Sequence, residues 1–374
     1  MAVKYYLEQN VLEAARERIA FLFDDFEHIV VGYSAGKDST VVLELALEEA
    51  RKRGRLPLPV MFLDQEAEWQ ATVDLAREVM SRPDVKPYWL QIPIKLFNAT
   101  SAEADWLECW NPSEEDKWMR KKEPDAITEN VYGTDRFAQM FTNFLKVHFP
   151  GERACYVSGV RTEESPTRMM GLTHQATYKW VTWCKRLTPG MHWTFYPIFD
   201  WSWTDVWKSI LDHNWPYNKV YDYQYKYGVS VNDMRVSNVH HETAVKALFW
   251  LQEIEPDTYA KLTQRIAGID MAGKMGAANY FVRKLPYMFR DWRDYRDFLL
   301  EKLVVDDKKH IFVTHFAKQD ELYQGLAGDR LYKEQVQTIL TNDYHLAKLG
   351  NFDRRPVNVG IRRQLKAAAE KAGQ

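Results

Sequence analysis

An apolar, β-branched run that breaks into a tight small-residue turn and leaves it as a helix is compatible with few folds. This chain carries one at HIVVGYSAGKDSTVVLELALEEA, His28 to Ala50. Ile29 to Gly32 has the make-up of a buried strand. Ser34 to Gly36 supplies turn chemistry. Asp38, Ser39 and Thr40 offer caps for a helix whose apolar positions Val41, Val42, Leu45 and Leu47 recur at helical spacing. Such a unit aims backbone N–H groups and a helix N-terminus at whatever lies above the turn, which suits phosphate. Lys37 adds a mobile positive charge. The turn is not a Walker loop, because Gly32 stands one position too close to Gly36 and Asp38 replaces the required Ser or Thr. The G-x-G-x-x-G of dinucleotide folds is absent too.

The strand–helix alternation continues. VMFLDQEAEW (Val60 to Trp69) reads as a second buried strand ending in acids, followed by a helix, and KPYWLQIPI as a third strand. ACYVSGVRTEES (Ala154 to Ser165) resumes the pattern, and Thr194 to Ile198 supplies another strand before a helix capped near Ser202 or Thr204. We therefore expect an α/β fold with a doubly wound parallel sheet, an N-terminal helix and a helical C-terminal domain. The expected division is an amphipathic helix over 1–27, a nucleotide-binding domain over 28–240 and a helical domain over 241–374. Residues 98–150, Trp-rich and without a clear strand, read as an insertion or lid. Ligands of such sheets sit at the carboxyl ends of strands, where Lys37 and Asp64 fall.

A net charge of −2 implies no global field for nucleic acid or membrane. No apolar run approaches a membrane span, and nothing resembles a signal peptide. Cys109, Cys155 and Cys184 are widely spaced and form no C-x-x-C, so a zinc ribbon or redox pair has no support and a reduced, cytoplasmic setting fits.

SAGKDST resembles the SGGKDS loop of the PP-loop, or N-type, ATP pyrophosphatases, with Ala35 in place of the second Gly. An alanine suits that place only if the backbone there needs no positive φ. The superfamily includes the phosphoadenosine phosphosulfate (PAPS) reductases, the small subunit of ATP sulfurylase and the DndC-type DNA-phosphorothioation enzymes. SGVRTEESPTR (Ser158 to Arg168) resembles their G-x-R-x-x-E-S-x-x-R segment, YPIFDWSWTDVW their strand before W-x-x-x-D-V-W, and the run from Tyr217 to Asn238 their N-x-x-Y-D-x-x-Y-x-x-G. Trp201, Trp203 and Trp207 in the second of these read as core and helix packing. The long helical C-terminal part resembles extended PAPS-reductase-like proteins with a domain of unknown function (the DUF3440 type), including the immunoglobulin-binding regulator A type, often paired with a ParB-like protein. The family's D-T-G is not kept: Asp64 is followed by Gln65 and Glu66.

The resemblance implies ATP, or a PAPS-like adenine nucleotide, with Mg²⁺. Ser34, Gly36, Lys37, Asp38, Ser39 and Thr40 would surround the phosphates, with Asp64, Gly159, Glu164, Ser165 and Arg235 completing the nucleotide site. Lys37, Arg161 and Arg168 would neutralise developing charge. Asp38 is either a magnesium ligand or a helix cap. His240 to Glu242 (HHE) read as helix N-terminal polar groups, not a metal site. No cysteine follows Cys184, so the reductase nucleophile is missing and no iron–sulfur cluster is expected. The expected activity is cleavage between the α- and β-phosphates with adenylylation of an acceptor. The alternatives are adenylylation of sulfate, as in the sulfurylase, and a nucleotide-binding regulatory factor that acts with a ParB-like partner. The latter would bind DNA through Arg354, Arg355, Arg362, Arg363, Lys366 and Lys371, or that tail simply packs as a terminal helix.

Overall fold

The HIVVGY segment is strand β1 (His28–Tyr33), buried from Ile29 onward as a β-branched run between helical layers requires. In the computed structural model the described residues are 6–98, 100, 106–164, 166–173, 176–231, 234–236, 247–269, 284–323, 325–341 and 343–372. β1 lies at the centre of a six-stranded sheet with β2 (Leu58–Leu63), β3 (Val85–Leu90), β6 (Ala154–Val157), β7 (Cys184–Thr188) and β8 (His192–Phe195). The order is β3-β2-β1-β6-β8-β7, parallel except for the antiparallel edge strand β7. The chain runs from β1 outward to β3, then crosses back to place β6 on the other flank of β1. The strand order therefore reverses between β1 and β6, and their carboxyl ends flank the crevice where doubly wound sheets take ligands. The sheet and its parallel pairing agree with the expected fold class.

Helix α1 (Val11–Asp25) opens on a capping box of Asn10 and Glu13. Its Arg18 grips Asp200 with two 2.7 Å bonds, and Trp201 Nε1 donates to the Val11 carbonyl at 3.0 Å. Helix α2 (Lys37–Lys52) follows β1, α3 (Gln70–Met80) follows β2, and α4 (Phe137–His148) precedes β6. α5 (Pro166–Thr173), α6 (Trp203–Asp212) and α7 (Val220–Lys226) come later in the chain. The core joins α1, α2, β1, β2 and β8, with Val41, Val42, Val60 and Phe195 fully buried.

Residues 98–150, expected to be strand-free, contain β5 (Trp106–Cys109), paired with β4 (Ile94–Phe97), and helix α4. A four-residue strand whose only partner is another short strand leaves too little alternation to read. The strand expected at Thr194 to Ile198 starts earlier and ends at Phe195.

The chain divides into two compact units, Met1–Leu96 with Glu108–Asn238, and Phe97–Leu107 with Val239–Gln374. The second contains helices α8 (Leu248–Ile254), α9 (Pro256–Arg265), α10 (Trp292–Lys302), α11 (Asp306–Tyr323), α12 (Asp329–Leu340), α13 (Ala347–Arg354) and α14 (Pro356–Ala372). Its core holds Trp292, Phe312, Phe316, Val336 and Ile339. Among the described residues, no helix is long and apolar enough to cross a membrane.

Candidate nucleotide site

The turn after β1 is held by its own side chains. Ser39 Oγ accepts from Ser34 N at 3.2 Å, lies 3.0 Å from Ser34 Oγ, and donates to the Gly36 carbonyl at 2.9 Å. Ala35 adopts φ +52°. The sequence reading required a non-positive φ for an alanine here, so that expectation is corrected. The turn needs the left-handed conformation, and the fold imposes it on a residue with a Cβ. Asn218, fully buried, supplies part of the restraint: its Nδ2 donates to the Ala35 carbonyl at 3.2 Å and to Thr72 Oγ1 at 2.9 Å, while its Oδ1 accepts from Val220 N at 3.0 Å. Sequence reasoning missed Asn218. Its signal was the opening Asn of the N-x-x-Y-D run.

Gly36 is the N-cap of α2 and makes no side-chain cap bond, so the first-turn N–H groups take their partners from elsewhere. One of them, Lys37 N–H, donates to the hydroxyl of Tyr221 at 3.4 Å. The Lys37 ammonium lies 5.3 Å from the centre of the Tyr221 ring. Thr40, in the first turn of α2, is wholly buried.

The loop after β6 meets this turn directly. A Cβ on Gly159 would stand 2.6 Å from the Asp38 carbonyl carbon and oxygen, and 2.8 Å from Ser39 N. Glycine is there to let two backbones touch. The close approach delivers Arg161, 4% exposed, to Asp38. Arg161 Nε donates to Asp38 Oδ1, and its Nη1 donates to Glu163 Oε2 at 3.0 Å and to the Trp201 carbonyl at 3.4 Å. Lys37 Nζ donates to Asp38 Oδ2 at 3.0 Å. Glu164 accepts from the Arg161 backbone at 3.2 Å and from Arg168 Nη1. Burial, followed by the charges of Arg235 and Arg161, lowers the pKa of the Arg168 guanidinium, so these three cations share one neighbourhood. Arg235 is held through its backbone by Gln224, at 3.1 and 2.7 Å. Ser165 and His240 to Glu242 lie outside the described residues.

One sequence expectation changes here. Asp38 is not a helix cap: the cap is Gly36, and both Asp38 oxygens accept from cations. A Mg²⁺ ion at Asp38 would have to displace Lys37 or Arg161 from its carboxylate. Among the described residues, no group of three His, Cys, Asp or Glu is arranged to bind a metal. Asp64 is likewise committed. It is fully buried at the end of β2, and its carboxylate accepts from Trp89 Nε1 (2.8 Å), Gln91 Nε2 (2.9 Å), Glu66 N (2.9 Å) and Arg120 Nη2 (2.5 and 2.6 Å). With both oxygens bonded inside the protein, Asp64 braces the end of β2. Arg120 comes from the 98–150 segment, where nothing in the local pattern marked it. Next to this strut, burial and then the Asp64 charge push the Glu68 carboxyl up to about 8.

Trp201 is buried, and Trp207 packs edge-on to Tyr217 and Tyr221 with centroids 5.5 and 5.2 Å apart, both in the packing role expected of them. Trp203 is instead 37% exposed at the start of α6. In the basic tail, Arg355 pairs with Glu334 at 2.9 Å and Arg362 donates to the Asp353 carbonyl at 2.6 Å.

Residues 28–228, which contain this constellation apart from Arg235, match the model of the phosphoadenosine phosphosulfate reductase domain. The chain belongs to the phosphoadenosine phosphosulfate reductase domain family. Residues 228–365 match a domain of unknown function, DUF3440. This family member is 28% identical over 372 residues to the uncharacterized protein YbdN of Escherichia coli (strain K12), covering 91% of this chain and 90% of that one. It is 27% identical over 202 residues to adenosine 5'-phosphosulfate reductase 2 of Bacillus subtilis (strain 168), covering 53% of this chain and 69% of the relative. Among solved structures, the FMN adenylyltransferase of Candida glabrata with FMN and an ATP analogue aligns at TM-score 0.37 and 17% identity, over 59% of this chain and 65% of that chain. The PAPS reductase of Candida auris aligns at TM-score 0.32 and 11% identity, over 64% of this chain and 99% of that chain.

Proposed function

We propose that this family member binds the polyphosphate of an adenine nucleotide in the crevice between the carboxyl ends of β1 and β6, and transfers the adenylyl group of ATP to an acceptor. The observation that carries the reading is the meeting of Lys37 with Arg161, two cations from separate loops held on one carboxylate at a helix N-terminus. A nucleophile on the acceptor attacks the α-phosphorus, the bond to the β-phosphate oxygen breaks, and pyrophosphate leaves. The proton of the nucleophile passes to solvent. Lys37 and Arg161, with Arg168 and Arg235 beside them, offset the charge that collects on the leaving pyrophosphate. Their rigid attachment matters, because preorganised charge needs no rearrangement during the step.

The reductase chemistry named for the relatives fits this chain poorly. Cys109, Cys155 and Cys184 are all buried, and burial raises the Cys155 and Cys184 thiols further from ionisation. None follows Cys184. A nucleotide-activating role needs no thiol. The test is pyrophosphate release from ATP in the presence of cell extract as the source of acceptor. Lys37→Ala should lower the rate by about a hundredfold, the scale of losing one electrostatic stabiliser. An unchanged rate removes Lys37, and with it this reading.

A further inference from the structure

We propose that Asp38 is a built-in competitor anion that sets the specificity of this site, so that chains of two or more phosphates enter and single oxyanions do not; the proposal rests on the nucleotide reading above. The Asp38 carboxylate already holds the two cations that an incoming anion would use. Its Oδ2 accepts from Lys37 Nζ at 3.0 Å and its Oδ1 from Arg161 Nε. The partners are well shielded from water, with side-chain exposures of 14% for Lys37, 15% for Asp38 and 5% for Arg161. Charge-assisted bonds in such surroundings are strong. The backbone from which Asp38 projects lies against Gly159, so its starting point is fixed.

An entering anion must therefore take Lys37 and Arg161 from a carboxylate and then sit beside its charge. A single sulfate or phosphate brings little more than Asp38 already supplies. A pyrophosphate or triphosphate bears more charge and more oxygens, and can engage Lys37 and Arg161 together with oxygens left for other donors. The extra contacts offset the repulsion. Asp38 thus works by exclusion, as specificity often requires. It also gives the family resemblance to sulfate-handling proteins a testable limit here: free sulfate is disfavoured as a ligand of the turn.

The experiment is calorimetric binding of inorganic pyrophosphate, tripolyphosphate and sulfate to the full chain, as wild type, Asp38→Asn and Asp38→Glu. Wild type should bind pyrophosphate at least about thirtyfold more tightly than sulfate, well over one tenfold step in affinity. In Asp38→Asn sulfate affinity should rise about tenfold and pyrophosphate less, so the preference narrows. Asp38→Glu keeps the charge and should keep the preference. Sulfate within about threefold of pyrophosphate in the wild type overturns the proposal without any variant, so failure of the Asn variant to fold does not protect it. An unchanged preference in Asp38→Asn overturns it too, as does weaker binding of both anions. If pyrophosphate and the non-hydrolysable analogue AMPCPP both fail to bind wild type, the nucleotide reading fails with it. If both bind but the preference ignores residue 38, only the competitor role is lost.

Discussion

At the scale of single residues, the structure turns on side chains in places their local chemistry disfavours. Ala35 is held at φ +52°, where an L-residue with a Cβ is strained by about 1–2 kcal/mol. Ala35→Gly relieves that strain, while the freer unfolded chain takes back about 0.4–1 kcal/mol. A net gain near 1 kcal/mol is expected, read as a higher urea midpoint at unchanged slope. Glu68 is the titratable counterpart. Its carboxyl rises from an ordinary 4.5 to about 8, so the folded chain holds a proton that the unfolded chain releases. The stability this contributes is complete below pH 4.5 and is lost as the pH climbs through 8. Glu68→Gln removes the titration. Urea midpoints of the variant should stay flat between these limits while those of the wild type fall, and the variant should be the more stable at pH 9.

At the scale of elements, the site depends on two loops packing at backbone distance. Gly159 lets the loop after β6 rest on the first turn of α2. Gly159→Ala places a methyl 2.6 Å from backbone atoms that cannot rotate away. Overpacking of this kind should lower stability by about 2 kcal/mol, and AMPCPP binding should weaken as Arg161 is displaced. Gly171, inside α5, is the contrast: a Cβ there meets nothing within 4 Å, so Gly171→Ala should be neutral or stabilising by up to about 1 kcal/mol through helix propensity. Urea unfolding of the two variants separates a packing glycine from an incidental one. The strand-like reading of β1 and the helical reading of α2 came from period and composition alone, and both hold. The pairing of β4 with β5 did not show, because a short ribbon is defined by its partner and not by its own period.

At the scale of the whole molecule, each compact unit has its own buried core. Unfolding of the full chain should show more than one calorimetric transition, since separate cores need not melt together. A ligand of the β1–β6 crevice should raise only the transition of the unit that holds it, by about 2.7 kcal/mol of added stability at a hundredfold excess over Kd. A single transition that moves as one body with ligand contradicts this.

By itself, the order of residues determined the α/β class, the turn after β1 and the arginine loop after β6. Each is local: a periodicity, or a cluster of residue types within a dozen positions. Tertiary structure alone decided what those residues do. Asp38 faces Arg161 as well as its neighbour Lys37 because a loop more than a hundred residues later is laid on its backbone. Asp64 became a buried strut because Trp89, Gln91 and Arg120 converge on it from two later segments. Ala35 is held in its left-handed turn in part by Asn218, from the segment before α7, which donates to its carbonyl. A carboxylate's role depends on which charges and donors surround it, and those neighbours are set by folding and not by sequence distance.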